Sequence, residues 1–231
     1  MAPPMNHAAA LISVVIPTLN EAAHLPALLA TIAAAPDLVA AIIVSDGGST
    51  DQTPTLARAA GAILIEGPSG RGSQLQRGIA AAPTKWLLLL HADSHLPPDW
   101  PTTIRRNLID PSRAYFGTLR FASADLRARL LEALVRLRCF LFRLPYGDQG
   151  LLIHRDLLEA AGGMPCLALM EDVALARNLG RRRLDPMNLI VTTDASAYIR
   201  DGWVRRVAAN FIRLLRYLIA PDAPAIRDYR R

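Results

Sequence analysis

Four short apolar runs recur in the first ninety residues, and each precedes a stretch with the residues of a helix. The predicted strands are Leu11–Ile16, Ala41–Val44, Ala62–Ile65 and Trp86–Leu90. Strands that alternate with helices predict an α/β fold with a parallel, doubly wound sheet. The last run is almost wholly apolar, which predicts a central strand. Ligands in such sheets bind beyond the carboxyl ends of the strands, so the residues after each run are candidates for a site.

The second half of the chain has a less regular pattern. Predicted helices are 100–108, 125–144, 155–161, 170–178 and 203–219, and predicted strands are 115–122, 151–154 and 189–192. Strand Tyr115–Ala122 alternates as an exposed strand does. No repeat or low-complexity linker marks a boundary, so a single domain over residues 1–231 is expected, with Met1–Ala10 as a loose arm. The hydrophobic fraction of 52% suffices for a sizeable core.

Polar residues follow the first predicted strand. Pro17, Thr18, Asn20 and Glu21 occupy the loop, and Asn20 is predicted to cap a helix that runs to about Ala35. Polar side chains beside a helix N-terminus offer hydrogen bonds to a base, a ribose or a phosphate. An ordinary strand-to-helix cap is the alternative.

Two aspartates flank a glycine pair after the second strand. Asp46 comes directly after the buried run, where it is placed to accept from a ribose hydroxyl or a base N–H. Asp51 fits the alternative role of a helix cap better. Further along, Arg71 lies in the glycine-rich loop Gly67–Gly72, which suits an arm that closes over a phosphate or a solvent-exposed loop.

The central strand runs directly into His91, Ala92, Asp93, Ser94 and His95. A hard cation that bridges two phosphates takes carboxylate and water oxygens as ligands. A histidine nitrogen is also acceptable to manganese. Asp93 could instead cap the following turn, but a buried strand that ends in these groups favours a metal site.

Two later segments are candidates for the other side of the site. Gly147–Gly150 precedes a strand and either lines an acceptor pocket or forms a turn. Glu171 and Asp172 open a helix, where adjacent acids often only complement the helix dipole. If that helix faces the strand ends, one of the two could act as a general base that deprotonates an acceptor hydroxyl.

Together these segments resemble the family 2 glycosyltransferases of GT-A fold. The segments that carry the resemblance are Val14–Glu21, Ile43–Asp51, His91–Asp93 and Glu171–Asp172. Tyr146–Gly150 is similar to a segment of the small single-domain members, some of which are labelled arsenosugar-biosynthesis glycosyltransferases. The implied fold is a Rossmann-like, mixed and mostly parallel sheet flanked by helices, with a helical C-terminal part. Residues 11–100 would be the nucleotide-binding half and residues 101–231 the acceptor-binding half.

The resemblance implies inverting transfer of a sugar from a nucleotide diphosphate-sugar to a hydroxyl acceptor, with a UDP-sugar as the expected donor. The positions that match nucleotide contacts are Pro17, Thr18, Asn20, Glu21, Asp46, Arg71 and Ala92. Asp93 matches the last acid of the D-x-D motif and would hold Mg²⁺ or Mn²⁺, with His95 as a second ligand. Asp172, with Glu171 beside it, matches the catalytic base. His91 departs from the pattern, since it stands at the first acid of D-x-D.

Two other functions are weighed against this one. A nucleotidyltransferase of related fold usually carries a glycine-rich signature with an activating lysine near the first strand, and Ile16–Glu21 has neither. A catalytically inert nucleotide-sugar-binding module is favoured only by His91. Asp93, Glu171 and Asp172 are all present, which favours an enzyme.

Arginine supplies nearly all of the positive charge that gives the chain a net charge of +6. The predicted helix Trp203–Ile219 is amphipathic, with basic residues on one side, and docking on the sheet is favoured over the alternative that it lies on an anionic membrane. The acceptor would be lipid-linked or a small molecule. No nucleic-acid motif accompanies the arginines. No signal peptide, membrane span or cysteine framework is predicted, so the expected location is cytoplasmic, with peripheral contact at the inner membrane face as an extension of that prediction.

Overall fold

The structure, a computed structural model, describes residues 11–219, so the predicted arm at Met1–Ala10 lies outside the described residues. The strands in this part of the chain are β1 (Ile12–Thr18), β2 (Val39–Asp46), β3 (Ile63–Glu66), β4 (Trp86–Leu89), β5 (Ala114–Phe121), β6 (Leu151–His154) and β7 (Leu184–Thr193). The helices are α1 (Leu25–Ala33), α2 (Thr53–Ala59), α3 (Arg71–Ala81), α4 (Trp100–Asn107), α5 (Leu126–Phe142), α6 (Arg155–Ala160), α7 (Glu171–Leu179), α8 (Ser196–Asp201) and α9 (Trp203–Ile219).

The described strands form one seven-stranded sheet in the order β3-β2-β1-β4-β6-β5-β7. β4 lies in the middle, as its apolar sequence predicts. β1 to β4 pair in parallel, and β5 and β7 are parallel to each other. β6 is antiparallel to both of its neighbours, β4 and β5. Among the described strands all except β6 therefore point their carboxyl ends to the same edge of the sheet.

The sheet buries apolar side chains on both faces because successive residues of a strand point in opposite directions. Val14 and Ile16 of β1 pack in one cluster with apolar residues of α1, α2 and α4. Val15 packs in the other cluster, with residues of α3, α5, α6 and α7. The central strands are therefore held between two helical layers, which fixes the positions of the loops at their ends.

Two details of the sequence interpretation are wrong. The strand predicted to be exposed at Tyr115–Ala122 is β5, which lies inside the sheet between β6 and β7 with Phe116, Leu119 and Phe121 buried. The alternation arises because the polar residues Thr118 and Arg120 stand at positions of β5 that are not buried. Asn20 does not cap α1, which begins at Leu25 after His24. Asn20 instead adopts a left-handed conformation, with φ of 56°.

The two longest helices, α5 and α9, each have 17 residues. The side chain of Asp125 caps α5 by accepting from the backbone N–H of Arg127. On α9 only Trp203 and Tyr217 are buried, so most of its apolar side does not dock on the sheet as the sequence interpretation had favoured. None of the described helices is long and apolar enough to cross a membrane.

Candidate active site

Asp46 ends β2 and shapes the loop that follows it. Its Oδ1 accepts hydrogen bonds from the hydroxyl groups of Thr18 (2.8 Å) and Ser49 (2.5 Å). Its Oδ2 accepts from the backbone N–H groups of Gly48 (2.9 Å) and Ser49 (2.7 Å). A carboxylate offers about four acceptor sites, and the loop occupies all of them. The predicted contact of Asp46 with a ribose or a base therefore requires the Thr18 or Ser49 hydroxyl to turn away.

The loops after β1 and β2 are bound to each other. The Asn20 side-chain oxygen accepts from the Thr50 backbone N–H at 2.9 Å, and the Asn20 N–H donates to the Ser49 hydroxyl at 2.8 Å. The backbone N–H of Glu21 donates to the hydroxyl of Thr53 at 2.8 Å. The left-handed backbone of Asn20 directs its side chain to the neighbouring loop, which gives this residue its role in place of the predicted cap.

Two predicted residues at these loops complete the same framework. Pro17 lies opposite Ser45 in the pairing of β1 with β2, one residue before the loop. Asp51 accepts from the backbone N–H of Thr53 at 2.9 Å and of Ala22 at 3.1 Å. Asp51 thus binds the N–H of the first residue of α2 from one residue before the N-cap, Gln52, which is close to its predicted capping role.

Gln74 is a site residue that the sequence interpretation missed. Its side-chain Nε2 donates to the backbone oxygens of Thr18 (2.7 Å) and Ser45 (3.1 Å), and its Oε1 accepts from the Gly70 N–H (3.2 Å). A Cβ on Gly47 would lie 2.9 Å from the Gln74 amide, so the glycine permits this approach. One buried amide therefore connects the ends of β1 and β2 to the loop before α3.

Arg71 opens α3 and extends toward α7, where its Nε lies 3.6 Å from Oε1 of Glu171. The close approach depends on Gly72, whose N–H donates to the Leu167 oxygen at 2.9 Å. A Cβ on Gly72 would lie 2.2 Å from the Pro165 oxygen. The structure thus brings the residue predicted to bind phosphate beside one of the two predicted catalytic acids.

Asp93 and its neighbours lie just beyond β4. The Thr193 hydroxyl at the end of β7 donates to Oδ2 of Asp93 at 2.8 Å, and Ala92 is buried. His95 is exposed, and its Nδ1 lies 3.1 Å from the Asp93 backbone oxygen. The His95 backbone pairs with Thr192. Asp93 is therefore held from β7, while the His95 ring lies toward the surface next to it.

His91, which stands where the family pattern has an acid, packs against the segment before β6. A Cβ on Gly147 would lie 2.5 Å from Nε2 of His91. The Gly147 N–H donates to Oδ2 of Asp172 at 2.7 Å, and the Val173 N–H donates to Oδ1 at 2.7 Å. The strand end at β4, the turn before β6 and the start of α7 therefore meet at one point.

Glu171 is buried, with 1% of its side chain exposed. Burial, together with the adjacent charge of Asp172, raises the pKa of its carboxyl to about 8, and the Arg71 guanidinium opposes the rise. Neither oxygen of Glu171 has a hydrogen-bond partner among the described residues. Asp172 beside it also lines the cleft and is the less buried of the two acids.

Asp148 is a further acid at the site. From the sequence alone, its segment Gly147–Gly150 has two possible roles, the lining of an acceptor pocket or a turn. Burial, with smaller contributions from the charges of Asp172 and Asp93, raises the pKa of the Asp148 carboxyl to about 6, and the Arg138 guanidinium opposes the rise. Arg138 stacks on the Tyr146 ring at 3.5 Å and donates to Gln149 at 3.2 Å. Asp148 thus belongs to the same group of charges as the predicted metal ligand and the predicted base.

A cleft opens beside these groups. Its polar end is lined by His91, Tyr146, Gly147, Glu171 and Asp172. Its walls are apolar side chains from α3, β4, β6 and α7, including Leu75, Leu89, Leu151 and Ala176. A site of this kind excludes water from the charged end, which strengthens electrostatic interactions there.

A divalent cation would need donors from both the chain and its substrate at this site. No group of three or more His, Cys, Asp or Glu side chains within residues 11–219 is arranged to hold a metal by itself. Mg²⁺ is commonly held by one or two carboxylates, with substrate phosphates and water completing its shell. Asp93 provides such a carboxylate, and its charge is already coupled to that of Asp148. The donor set therefore fits a cation that arrives with a diphosphate.

The comparisons with known proteins agree with this geometry. The family model described as glycosyl transferase family 2 matches residues 13–179. The chain is 40% identical over 86 residues to an uncharacterised glycosyltransferase of Mycobacterium tuberculosis, covering 37% of this chain and 38% of that protein. It is 38% identical over 96 residues to a PGL/p-HBAD biosynthesis glycosyltransferase of M. tuberculosis, covering 38% of each. The chain thus spans well under half the length of these curated relatives.

Among solved structures, the chain resembles glucosyl-3-phosphoglycerate synthase from M. tuberculosis in complex with Mn²⁺, UDP-glucose and phosphoglyceric acid. The TM-score is 0.55 and the identity 25%, over 81% of this chain and 71% of that one. This likeness and the mixed, mostly parallel sheet confirm the predicted GT-A fold. Since the family model matches well over half of its residues, the chain belongs to glycosyl transferase family 2.

Proposed function

We propose that the chain transfers a sugar from a UDP-sugar to a hydroxyl group of an acceptor, with inversion at the anomeric carbon. The observation that carries the proposal is the meeting of Asp93, Asp148 and Asp172 at the carboxyl edge of the sheet, next to the joined loops after β1 and β2. Three acids thus lie close together: Asp93 after β4, Asp148 in the turn before β6, and Asp172 in α7. The family model and the likeness to a synthase solved with UDP-glucose support the same reaction.

The proposed donor pocket lies over the ends of β1 and β2. Pro17, Thr18, Asn20 and Glu21 form one wall, and the Asp46 loop forms the other. Backbone and side-chain groups of these loops are already held by hydrogen bonds, so little ordering is needed on binding. In this arrangement Arg71 and the backbone at Ala92 would contact the diphosphate of the donor. A guanidinium suits this role because it forms paired hydrogen bonds to phosphate oxygens.

Asp93 would hold Mg²⁺ or Mn²⁺ together with the diphosphate oxygens, and His95 is placed to add a ligand from the surface side. When bound, such a cation offsets the charge that develops on the leaving diphosphate. The Thr193 hydroxyl orients the Asp93 carboxylate through its hydrogen bond to Oδ2. This hydrogen bond fixes the proposed metal ligand Asp93, which follows β4, relative to the end of β7.

Asp172 is the proposed general base. Backbone N–H groups of Gly147 and Val173 each occupy one site on a different oxygen of its carboxylate. One acceptor site remains on each oxygen, so Asp172 is oriented and can still take the proton of an acceptor hydroxyl. Attack of the deprotonated acceptor hydroxyl directly on the anomeric carbon, as the family resemblance implies, gives inversion. Asp148 and Tyr146 lie next to it as contacts for the acceptor.

The test is binding and turnover of nucleotide sugars by the purified chain. UDP-glucose with Mn²⁺ should raise the midpoint of thermal unfolding. At a hundredfold excess over the dissociation constant, the free energy of unfolding should increase by about 2.7 kcal/mol. EDTA should remove most of that gain. The Asp93→Asn variant should lower UDP release by about a hundredfold or more, since metal stabilisation of the leaving group amounts to several kcal/mol.

The matched control is Asp99→Asn, because Asp99 lies six residues further on, is exposed and has no side-chain hydrogen bond to the helix that it precedes. It should release UDP at the rate of the unchanged chain. Full turnover of Asp93→Asn would contradict the metal assignment. Absence of any stabilisation by UDP-sugars, GDP-sugars or dTDP-sugars would contradict the proposed function.

A further inference from the structure

The outward side of α5 carries a row of exposed leucines. Leu126 is 82% exposed and Leu130 is 63% exposed, and the row continues through Leu134, Leu137 and Leu141. The buried residues of α5 lie on the opposite side of the helix and are Ala128, Glu132, Val135 and Cys139. The leucines therefore face away from the core. Phe140 and Phe142 extend the exposed apolar area at the end of the helix.

A second exposed apolar face belongs to α9. Only its two end regions are anchored, by Trp203 and Tyr217. The exposed apolar residues between and beyond them are Val204, Val207, Phe211, Ile212, Leu215, Leu218 and Ile219. Single exposed apolar residues are common in soluble proteins, but contiguous rows of this length mark an interaction surface.

The two helices are connected near both ends. At their starts, the Trp203 side chain hydrogen-bonds to Asp125, the N-cap of α5. At their ends, Tyr217, Leu214 and Leu144, which follows α5 by two residues, belong to one apolar cluster. Each helix is about 25 Å long by its rise per residue. The exposed residues of these two connected helices are called here the α5–α9 surface.

The α5–α9 surface carries a net positive charge. The two helices contain eight arginines and a single acid, Glu132. Arg127, Arg129 and Arg206 are paired with carboxylates. The positive charge offered to a partner therefore comes mainly from the exposed residues Arg136, Arg205, Arg213 and Arg216. Glu132 is buried and bound by Arg129, so it presents no negative charge to a partner. A second copy of the chain on this surface would bring arginine against arginine, which is unfavourable. The complementary partner is therefore apolar and negatively charged, as an anionic lipid bilayer is.

We propose that the α5–α9 surface binds the chain to an anionic membrane. The leucines and phenylalanines enter the boundary between headgroups and acyl chains, and arginines at the edges of the rows contact lipid phosphates. This inference does not depend on the proposed transfer reaction. It does place the acceptor side of the site near lipid, because Tyr217 packs against Val173 and Ala174, directly after Asp172.

The experiment is co-sedimentation of the full chain with vesicles of phosphatidylcholine, with or without about 30% phosphatidylglycerol. The chain should sediment with the anionic vesicles, less with the neutral ones, and less as salt is raised. The variants Leu130→Glu with Leu134→Glu on α5, and Phe211→Glu on α9, should each weaken the partition by about tenfold or more. These side chains already face solvent, so thermal midpoints near that of the unchanged chain are expected.

The matched control is Ile109→Glu, at an apolar residue that is 80% exposed in the loop after α4. It should sediment as the unchanged chain does. Three results would overturn the proposal: absence of sedimentation with anionic vesicles, equal loss in the Ile109→Glu control, or a concentration-dependent dimer that the α5 variant abolishes. Turnover of a water-soluble acceptor by the α5 and α9 variants would separate this surface from the catalytic site.

Discussion

Asp172 receives a backbone N–H on each carboxylate oxygen, and this arrangement determines what its replacement should do. We expect Asp172→Asn to lower transfer by about a thousandfold, because an amide cannot take a proton from the acceptor hydroxyl. Donor binding should persist, since the base acts on the acceptor. Product formation and the UDP-dependent thermal shift are measured side by side. Loss of the shift with normal transfer would contradict the role.

Glu171 should make the stability of the chain depend on pH. Its pKa is raised to about 8 in the folded chain, above the ordinary value of 4.5. Between these values the folded chain keeps a proton that the unfolded chain has lost, so the free energy of unfolding falls as pH rises. Glutamine cannot titrate, so Glu171→Gln should gain about 2 kcal/mol relative to the unchanged chain between about pH 5.5 and about pH 7.5.

Urea unfolding at the two pH values measures this difference. The control is Glu159→Gln, an exposed residue of α6 that carries the same substitution. It should follow the unchanged chain at both values. Identical pH dependence in Glu171→Gln and the unchanged chain would show that Glu171 does not hold the proton.

Individual site residues could be predicted where the chemistry is local in sequence. Asp93 and Asp46 follow apolar runs directly, so the carboxyl-edge rule was enough to select them. Gln74 could not be selected, because its partners Thr18 and Ser45 are distant along the chain. The involvement of Asp148 likewise depends on packing between α5, β6 and α7, which no local pattern encodes.

Among the elements, α5 is attached to β5 by a buried carboxylate. Oε1 of Glu132 accepts from the Phe121 backbone N–H at 2.8 Å and from Arg129 at 2.6 Å. Glu132→Leu would leave the Phe121 N–H without its acceptor, so we expect a loss of about 1–3 kcal/mol in the free energy of unfolding. Urea unfolding measures it. Glu159→Leu, at an exposed position, should change stability little, and an equal loss in both variants would argue against the contact.

The types and order of the elements were largely predictable from sequence, but their burial was not. Each strand of the first half was found within two residues of its predicted ends. β5 was misjudged as exposed because alternation reports only the side chains of one strand, whereas its burial is due to α5 on one face and its position between β6 and β7. The same limit explains why α9 was expected to dock more fully than it does.

For the molecule as a whole, the predicted nucleotide-binding and acceptor-binding halves share one sheet. β4 of the first half pairs with β6 of the second, so unfolding of either half would expose the edge of the other. We expect a single cooperative transition in urea. Trp86 and Trp100 report on the first half and Trp203 on the second. In a variant that keeps only one set, the fluorescence midpoint should equal the midpoint by far-UV circular dichroism measured on that same variant. Separated midpoints within one variant would contradict a shared unit.

The reversed direction of β6 also affects how relatives of this chain can diversify. Because β6 runs against its neighbours, it starts at the edge where they end, and the segment that leads from α5 into it must cross the site. Residues 122–150 therefore form a continuous cassette, inserted between two strands of a fixed sheet. Exchange of this segment would alter the acceptor side and α5 together, while the loops after β1 and β2 stay intact. We therefore expect the proposed acceptor choice and the proposed surface attachment to change together in chains that differ in this segment.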